Sequence, residues 1–148
     1  MLIVERILPA ARDRLATIPD SALLMDAARL LKGPKLNLVV VCDDNGTMEG
    51  VITRTDVVRR ISQCAGASCT MPASTVMTQD VTFCRPGDGL HDVWLVIKQH
   101  GLKNVPVVDQ DMKPVGVLNA RDAVQALLED VQHEEELLRD YVMCIGYR

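Results

Sequence analysis

Thr53 and Asp56 stand three residues apart, just after the apolar Val51-Ile52 and at the head of a stretch of helical character. A carboxylate in the first turn of a helix can accept hydrogen bonds from a vicinal diol, as acidic residues do for ribose in other nucleotide sites. The helix start adds unpaired N–H groups and a partial positive charge, which suit an anion. Arg54 is a fork-shaped donor for phosphate, and the neighbouring valines and isoleucines would wall in a base. A second set of the same kind, Asn119, Arg121 and Asp122, lies further along. The spacing has another reading. Thr-x-x-Asp at a helix start is close to a capping box, which stabilises by about 1 kcal/mol with no ligand at all. Asn119 and Asp122 fit that description too, and one carboxylate can serve both roles.

The two sets are copies of one unit. Gly50-Val51-Ile52-Thr53-Arg54-Thr55-Asp56 returns sixty-six residues later as Gly116-Val117-Leu118-Asn119-Ala120-Arg121-Asp122. The same offset carries Leu36 onto Leu102, Val39 onto Val105, Val41 onto Val107, Asp43 onto Asp109 and Val58 onto Val124. Eight of twenty-five positions agree between 36–60 and 102–126, where roughly one or two would agree by composition. This is an internal duplication.

Each copy needs elements to present these residues. In the first, residues 1–15 predict a helical lead-in interrupted by Pro9, and Ala16-Thr17-Ile18 a brief extended piece before Pro19. Asp20 or Ser21 offers a cap for a helix carrying Leu23, Leu24, Ala27, Ala28, Leu30 and Leu31, stopped by Gly33-Pro34. Leu38 to Val41 reads as a strand buried on both faces. Asp43-Asp44-Asn45-Gly46 is a hairpin turn, Met48 to Thr53 the return strand, and Thr55 to Ile61 a helix. The second copy repeats this with a helical turn at Thr75-Val76-Met77 and an extended Val81-Thr82-Phe83. It continues with a helix over 90–99, strands at 105–108 and 115–118, and a helix from Arg121. A unit this small cannot bury its apolar face alone, so the copies are expected to pack together. The last helix keeps an apolar stripe to Ile145, broken by Glu134-Glu135-Glu136, with Gly146 as a plausible stop. Such an extension must dock on its own module or on a second subunit.

Composition narrows the function. One Trp, one Phe and two Tyr leave an aliphatic core and argue against the stacking platforms of single-stranded nucleic-acid binders. A net charge of −4 offers no overall attraction to nucleic acid or anionic membranes. Apolar runs are far too short for a membrane span, and the charged start is no signal peptide, so a soluble cytoplasmic protein is expected. Cys42, Cys64, Cys69, Cys84 and Cys144 are an odd number with irregular spacing, which suits reduced thiols. His91, His100 and His133 are scattered without companion ligands, so no metal site is expected. No Gly-rich phosphate loop or nucleophile–base arrangement stands out, which favours binding over catalysis.

Leu-x-x-Val-x-Val-x-Asp followed by Gly-Val-hydrophobic-Thr-x-x-Asp, occurring twice, resembles the cystathionine-β-synthase (CBS) domain. Asn104-Val105-Pro106-Val107-Val108-Asp109 and Val76-Met77-Thr78 add to the match. The resemblance covers about residues 1–130 and implies a small stand-alone, bacterial-type tandem pair. Its fold would be α+β: two β-α-β-β-α repeats about a pseudo-two-fold axis, with a C-terminal helical extension. On that division the repeats span 1–62 and 75–130, joined by a linker at 63–74, with the extension at 131–148. The resemblance also implies adenosyl ligands such as AMP, ADP, ATP, NAD or S-adenosylmethionine, held in clefts between repeats. Thr53, Asp56, Asn119 and Asp122 would hold ribose, and Arg54 and Arg121 phosphate. Asn37, Leu38, Asn104 and Val105 would form the cleft lip through their backbones, and Thr17, Ile18 and Thr82 would line the clefts. Val40 stands where the second copy has Pro106, and Asn119 where the family usually has Thr or Ser, so each cleft departs in a different place. Two functions are therefore expected: a non-catalytic regulatory module, homodimeric by default, whose output is a separate effector protein or the dimer itself, or a ligand-free dimerisation scaffold whose C-terminal helix engages a partner.

Overall fold

A computed structural model describes residues 2–34, 36–63 and 70–146; Cys64 and Cys69 lie outside it, as do the side chains of Cys144 and Ile145. The chain opens with a 3-10 turn, Val4–Ile7, that runs directly into α1, Leu8–Asp13. Pro9 does not interrupt this lead-in, because it falls in the first turn of α1, where no intrahelical N–H bond is lost. β1 (Thr17–Pro19), α2 (Leu24–Leu31), β2 (Leu38–Cys42), β3 (Met48–Thr53) and α3 (Arg54–Gln63) complete the first copy. α4 (Ala73–Val76), α5 (Leu90–His100), β4 (Asn104–Val108), β5 (Pro114–Asn119) and α6 (Ala120–Gly146) follow.

The cap of α2 differs from the expectation. The helix starts at Leu24, and the Asp26 carboxylate accepts the Leu23 N–H at 3.0 Å, so neither Asp20 nor Ser21 caps it. β1 runs parallel to β2, and β2 pairs antiparallel with β3, giving the order β1-β2-β3. In the second copy β4 and β5 pair alone. The expected strand at 81–83 reduces to one parallel bridge from Cys84 to Val107.

β2 is buried along its whole length because both faces are covered. Val39 and Val41 point to a core shared with α2, while Leu38, Val40 and Cys42 point to a seam against Val108 and Val117 of the second copy. The second copy mirrors this, with Val105 and Val107 in its own core and Val108 in the seam. The period-two side-chain alternation of a strand thus builds both layers at once. Met112 also enters the seam, at φ 62, where the first copy has Gly46 at φ 81. Left-handed backbone costs a methionine about 1 kcal/mol that glycine does not incur.

The lead-ins are exchanged. Val4, Leu8 and Ala11, from the start of the chain, lie in the core of the second copy with Leu90, Ile97 and Leu118. Ala73 and Val76, from the start of the second copy, lie in the core of the first with Leu24, Val39 and Ile52. Backbone pairing follows suit: Ile3 bridges Gly89 and Leu23 bridges Pro72. Two close approaches fall at the repeated glycines. A Cβ on Gly116 would lie 2.9 Å from the Ala11 Cβ, and one on Gly50 2.6 Å from the Thr78 carbonyl oxygen.

Candidate functional site

The junctions of β3 with α3 and of β5 with α6 place the Thr-x-x-Asp and Asn-x-x-Asp residues at helix starts. In the first copy, the Thr53 N–H donates to Asp56 Oδ2 at 3.0 Å, and the Asp56 N–H donates to Thr53 Oγ1 at 3.3 Å. This is a reciprocal capping box. The same Oδ2 accepts a long hydrogen bond, 3.5 Å, from Thr78 Oγ1 on the exchanged lead-in. Asp56, Arg59, Arg60, Val76, Met77 and Thr78 surround a cavity of about 260 Å³. Its one acidic group therefore faces two guanidinium-bearing residues, a balance suited to a ligand that joins a diol to an anion.

The second copy arranges its residues differently. Asn119 Oδ1 accepts the Arg121 N–H at 2.9 Å, and Asn119 Nδ2 donates to Asn104 Oδ1 at 3.3 Å. Asp122 instead takes the guanidinium of Arg14, just beyond α1, with Nε 3.0 Å from Oδ2. Each carboxylate thus faces the lead-in of the other copy.

The remaining expected residues divide. Arg54 does not reach the Asp56 cavity: its guanidinium donates to the Leu31 carbonyl at 3.0 Å, to Leu36 at 2.9 Å and to Gly33. A cation on the last carbonyl of α2 satisfies acceptors that every helix C-terminus leaves open. Arg54→Ala is expected to lower the unfolding free energy by roughly 1 kcal/mol, read as an earlier urea midpoint. An unchanged midpoint would show that the clamp contributes nothing. The Arg121 side chain makes no hydrogen bond or ion pair among the described residues. Thr17 is exposed on β1, whereas Ile18 is turned into the first core with Leu24 and Val39. Leu38 sits in the seam, paired with Thr53, and Asn37 precedes it at half burial. By register Leu38 corresponds to Asn104, not to Val105, because Asn104 pairs with Asn119 as Leu38 does with Thr53. Val105 is buried in the second core. Val105 and Thr82 line another cavity, of about 250 Å³, beside Cys84, Asp88 and Asp92.

Arg14, Arg59, Arg60 and Thr78 were not among the expected residues. Arg59 and Arg60 follow Asp56 by three and four positions, one helical turn along the same face, so helical spacing alone could have found them. Arg14 carries no such signal, since it lies 108 residues from its partner. Among the described residues no group of three or more His, Cys, Asp or Glu converges, and no helix is long and apolar enough to cross a membrane.

A pseudo-two-fold pair of α+β repeats with exchanged lead-ins, each presenting an acidic helix start to its sister, defines a duplicated two-repeat module. The CBS domain pattern matches residues 4–63 and 73–129, and the chain belongs to that family. It is 31% identical over 114 residues to arabinose 5-phosphate isomerase GutQ of Escherichia coli, covering 77% of this chain and 35% of the isomerase. The chain thus spans about a third of the length of that relative. Among solved structures it resembles an acetoin utilization protein (AcuB) from Vibrio cholerae, at 25% identity and TM-score 0.76, covering 92% of this chain and 97% of that one. It also resembles CBSX2 in complex with AMP, at 25% identity and TM-score 0.73, covering 87% and 98%.

Proposed function

We propose that this chain is a non-catalytic regulatory module that binds an adenine nucleotide or related adenosyl compound between its repeats. The observation that carries the reading is the Asp56 cavity of about 260 Å³, where a helix-start carboxylate, Thr78 and two arginines converge. The likeness to CBSX2, solved with AMP, supports the ligand class. A ligand that touches α3 and the exchanged lead-in together favours one angle between the repeats, and by linkage favours any partner that prefers that angle. Output through a homodimer and a separate effector protein belongs to the same reading. The exposed Leu128, Leu138, Tyr141 and Val142 on α6 favour a second reading, a scaffold that works without ligand.

A thermal-shift panel of AMP, ADP, ATP, NAD, S-adenosylmethionine and GMP separates the two. A compound at about a hundred times its Kd adds about 2.7 kcal/mol, and at least one adenosyl compound is expected to raise Tm well beyond GMP. No shift with any of the six would discard the sensor and leave the scaffold.

A further inference from the structure

The two clefts are not electrostatically equivalent, although their framework is duplicated. Beside Asp56 stand Arg59 and Arg60; the corresponding positions in the second copy are Gln125 and Ala126, which carry no charge. Beside Asp122 stands the Arg14 guanidinium; the lead-in residue that reaches Asp56 is Thr78, whose hydroxyl carries no charge to neutralise it. The Asp122 carboxylate therefore already holds a guanidinium at 3.0 Å where a diol would have to bind. Asp56 holds only its own capping N–H and a 3.5 Å contact with a hydroxyl that a ligand can displace. Arg60 is lightly engaged, donating to the Thr75 carbonyl at 3.4 Å, and the Arg59 side chain makes no hydrogen bond or ion pair among the described residues.

We infer that each chain takes one phosphate-bearing adenosyl ligand, in the Asp56 cleft, and that Arg14 closes the Asp122 cleft from within. This rests on the adenosyl reading given above and adds which cleft works, what it selects and what shuts the other. Ribose hydroxyls donate to Asp56 while Arg59 and Arg60 take the phosphate as charge-assisted donors. An unphosphorylated adenosyl compound forfeits those contacts. In the second cleft a diol must first displace Arg14, and Gln125 and Ala126 stand where Arg59 and Arg60 would take the phosphate.

Isothermal titration calorimetry with AMP and with adenosine tests this on the full chain. Wild type is expected to bind one AMP per chain, with adenosine at least tenfold weaker. Asp56→Asn should weaken AMP at least tenfold and Asp122→Asn less than twofold. The double variant Arg59→Gln with Arg60→Gln should bring AMP down to the level of adenosine. Arg14→Gln should raise the stoichiometry towards two, and circular dichroism melts check that each variant is folded. Two AMP per wild-type chain, equal losses for the two aspartate variants, equal affinity for AMP and adenosine, or weaker binding on Arg14→Gln would each overturn the inference while leaving an adenosyl sensor intact. Absence of heat with AMP, together with no thermal shift from any adenosyl compound, would overturn both.

Discussion

Gly50→Ala is expected to destabilise the protein by about 2–3 kcal/mol and to lower Tm by roughly 5–12 °C. The added Cβ would meet the Thr78 carbonyl oxygen at 2.6 Å and Met77 Sδ at 2.9 Å. A flexible thioether can move aside, but the carbonyl cannot do so cheaply. Thr78 O accepts the Val51 N–H at 3.0 Å, and the Thr78 N–H donates to Val51 O at 2.8 Å, so the lead-in is bonded to β3 at that point. Relief requires either breaking this pair or pushing α4 away from Val39 and Ile52. Gly87→Ala is the control, because nothing lies within 4 Å of its Cβ and its φ is ordinary. Its effect should stay within about 0.5 kcal/mol. Equal melts for the two variants would mean that the lead-in does not bear on β3 as described.

The second large effect is alkaline. Cys84 is 3% exposed, and burial, with the Asp88 carboxylate adding to it, pushes its thiol up from 9 to about 12. Between those values the unfolded chain loses the thiol proton and the folded chain keeps it. The folded state then binds more protons, so stability falls as pH rises above about 9, by up to about 1.4 kcal/mol per unit. Below pH 9 the contribution is fully present; by pH 12 about 4 kcal/mol is gone. Urea unfolding of wild type and Cys84→Ala at pH 7.5, 9 and 10.5 reads this directly. Cys84→Ala should start slightly less stable and lose about 2 kcal/mol less between pH 9 and 10.5. Parallel losses in the two proteins would assign the alkaline sensitivity to other groups.

The sequence revealed whatever depends on neighbours along the chain. The β2–β3 hairpin announced itself through Val39-Val40-Val41 and Asn45-Gly46, and the helix-start residues through Thr53 and Asp56, whose spacing is that of the capping box they form. What stayed hidden was long-range. Nothing local to Ala11 or Ala73 shows that each belongs to the other copy's core, because a buried alanine reads the same beside either sheet. Arg54 looked available for phosphate since its targets are backbone carbonyls 18 to 23 residues earlier, and carbonyls leave no mark in a sequence. Arg14 escaped for the same reason at greater range. The cleft-lip set of Asn37, Leu38, Asn104 and Val105 mixes registers, whereas the sixty-six-residue offset already placed Leu38 opposite Asn104 in the repeat.

The traded lead-ins also bear on ancestry and assembly. A polypeptide with one repeat alone would lack the sister lead-in that covers the return strand here. Two such polypeptides could close by swapping those segments, each completing its twin. Their folding would then depend on their concentration. Joining the two genes end to end turns that encounter into an intramolecular one, at an effective concentration of order millimolar for a short connection. Fusion thereby frees the fold from abundance and lets the halves diverge, so that one lead-in could come to meet its aspartate with the Thr78 hydroxyl and the other with the Arg14 guanidinium.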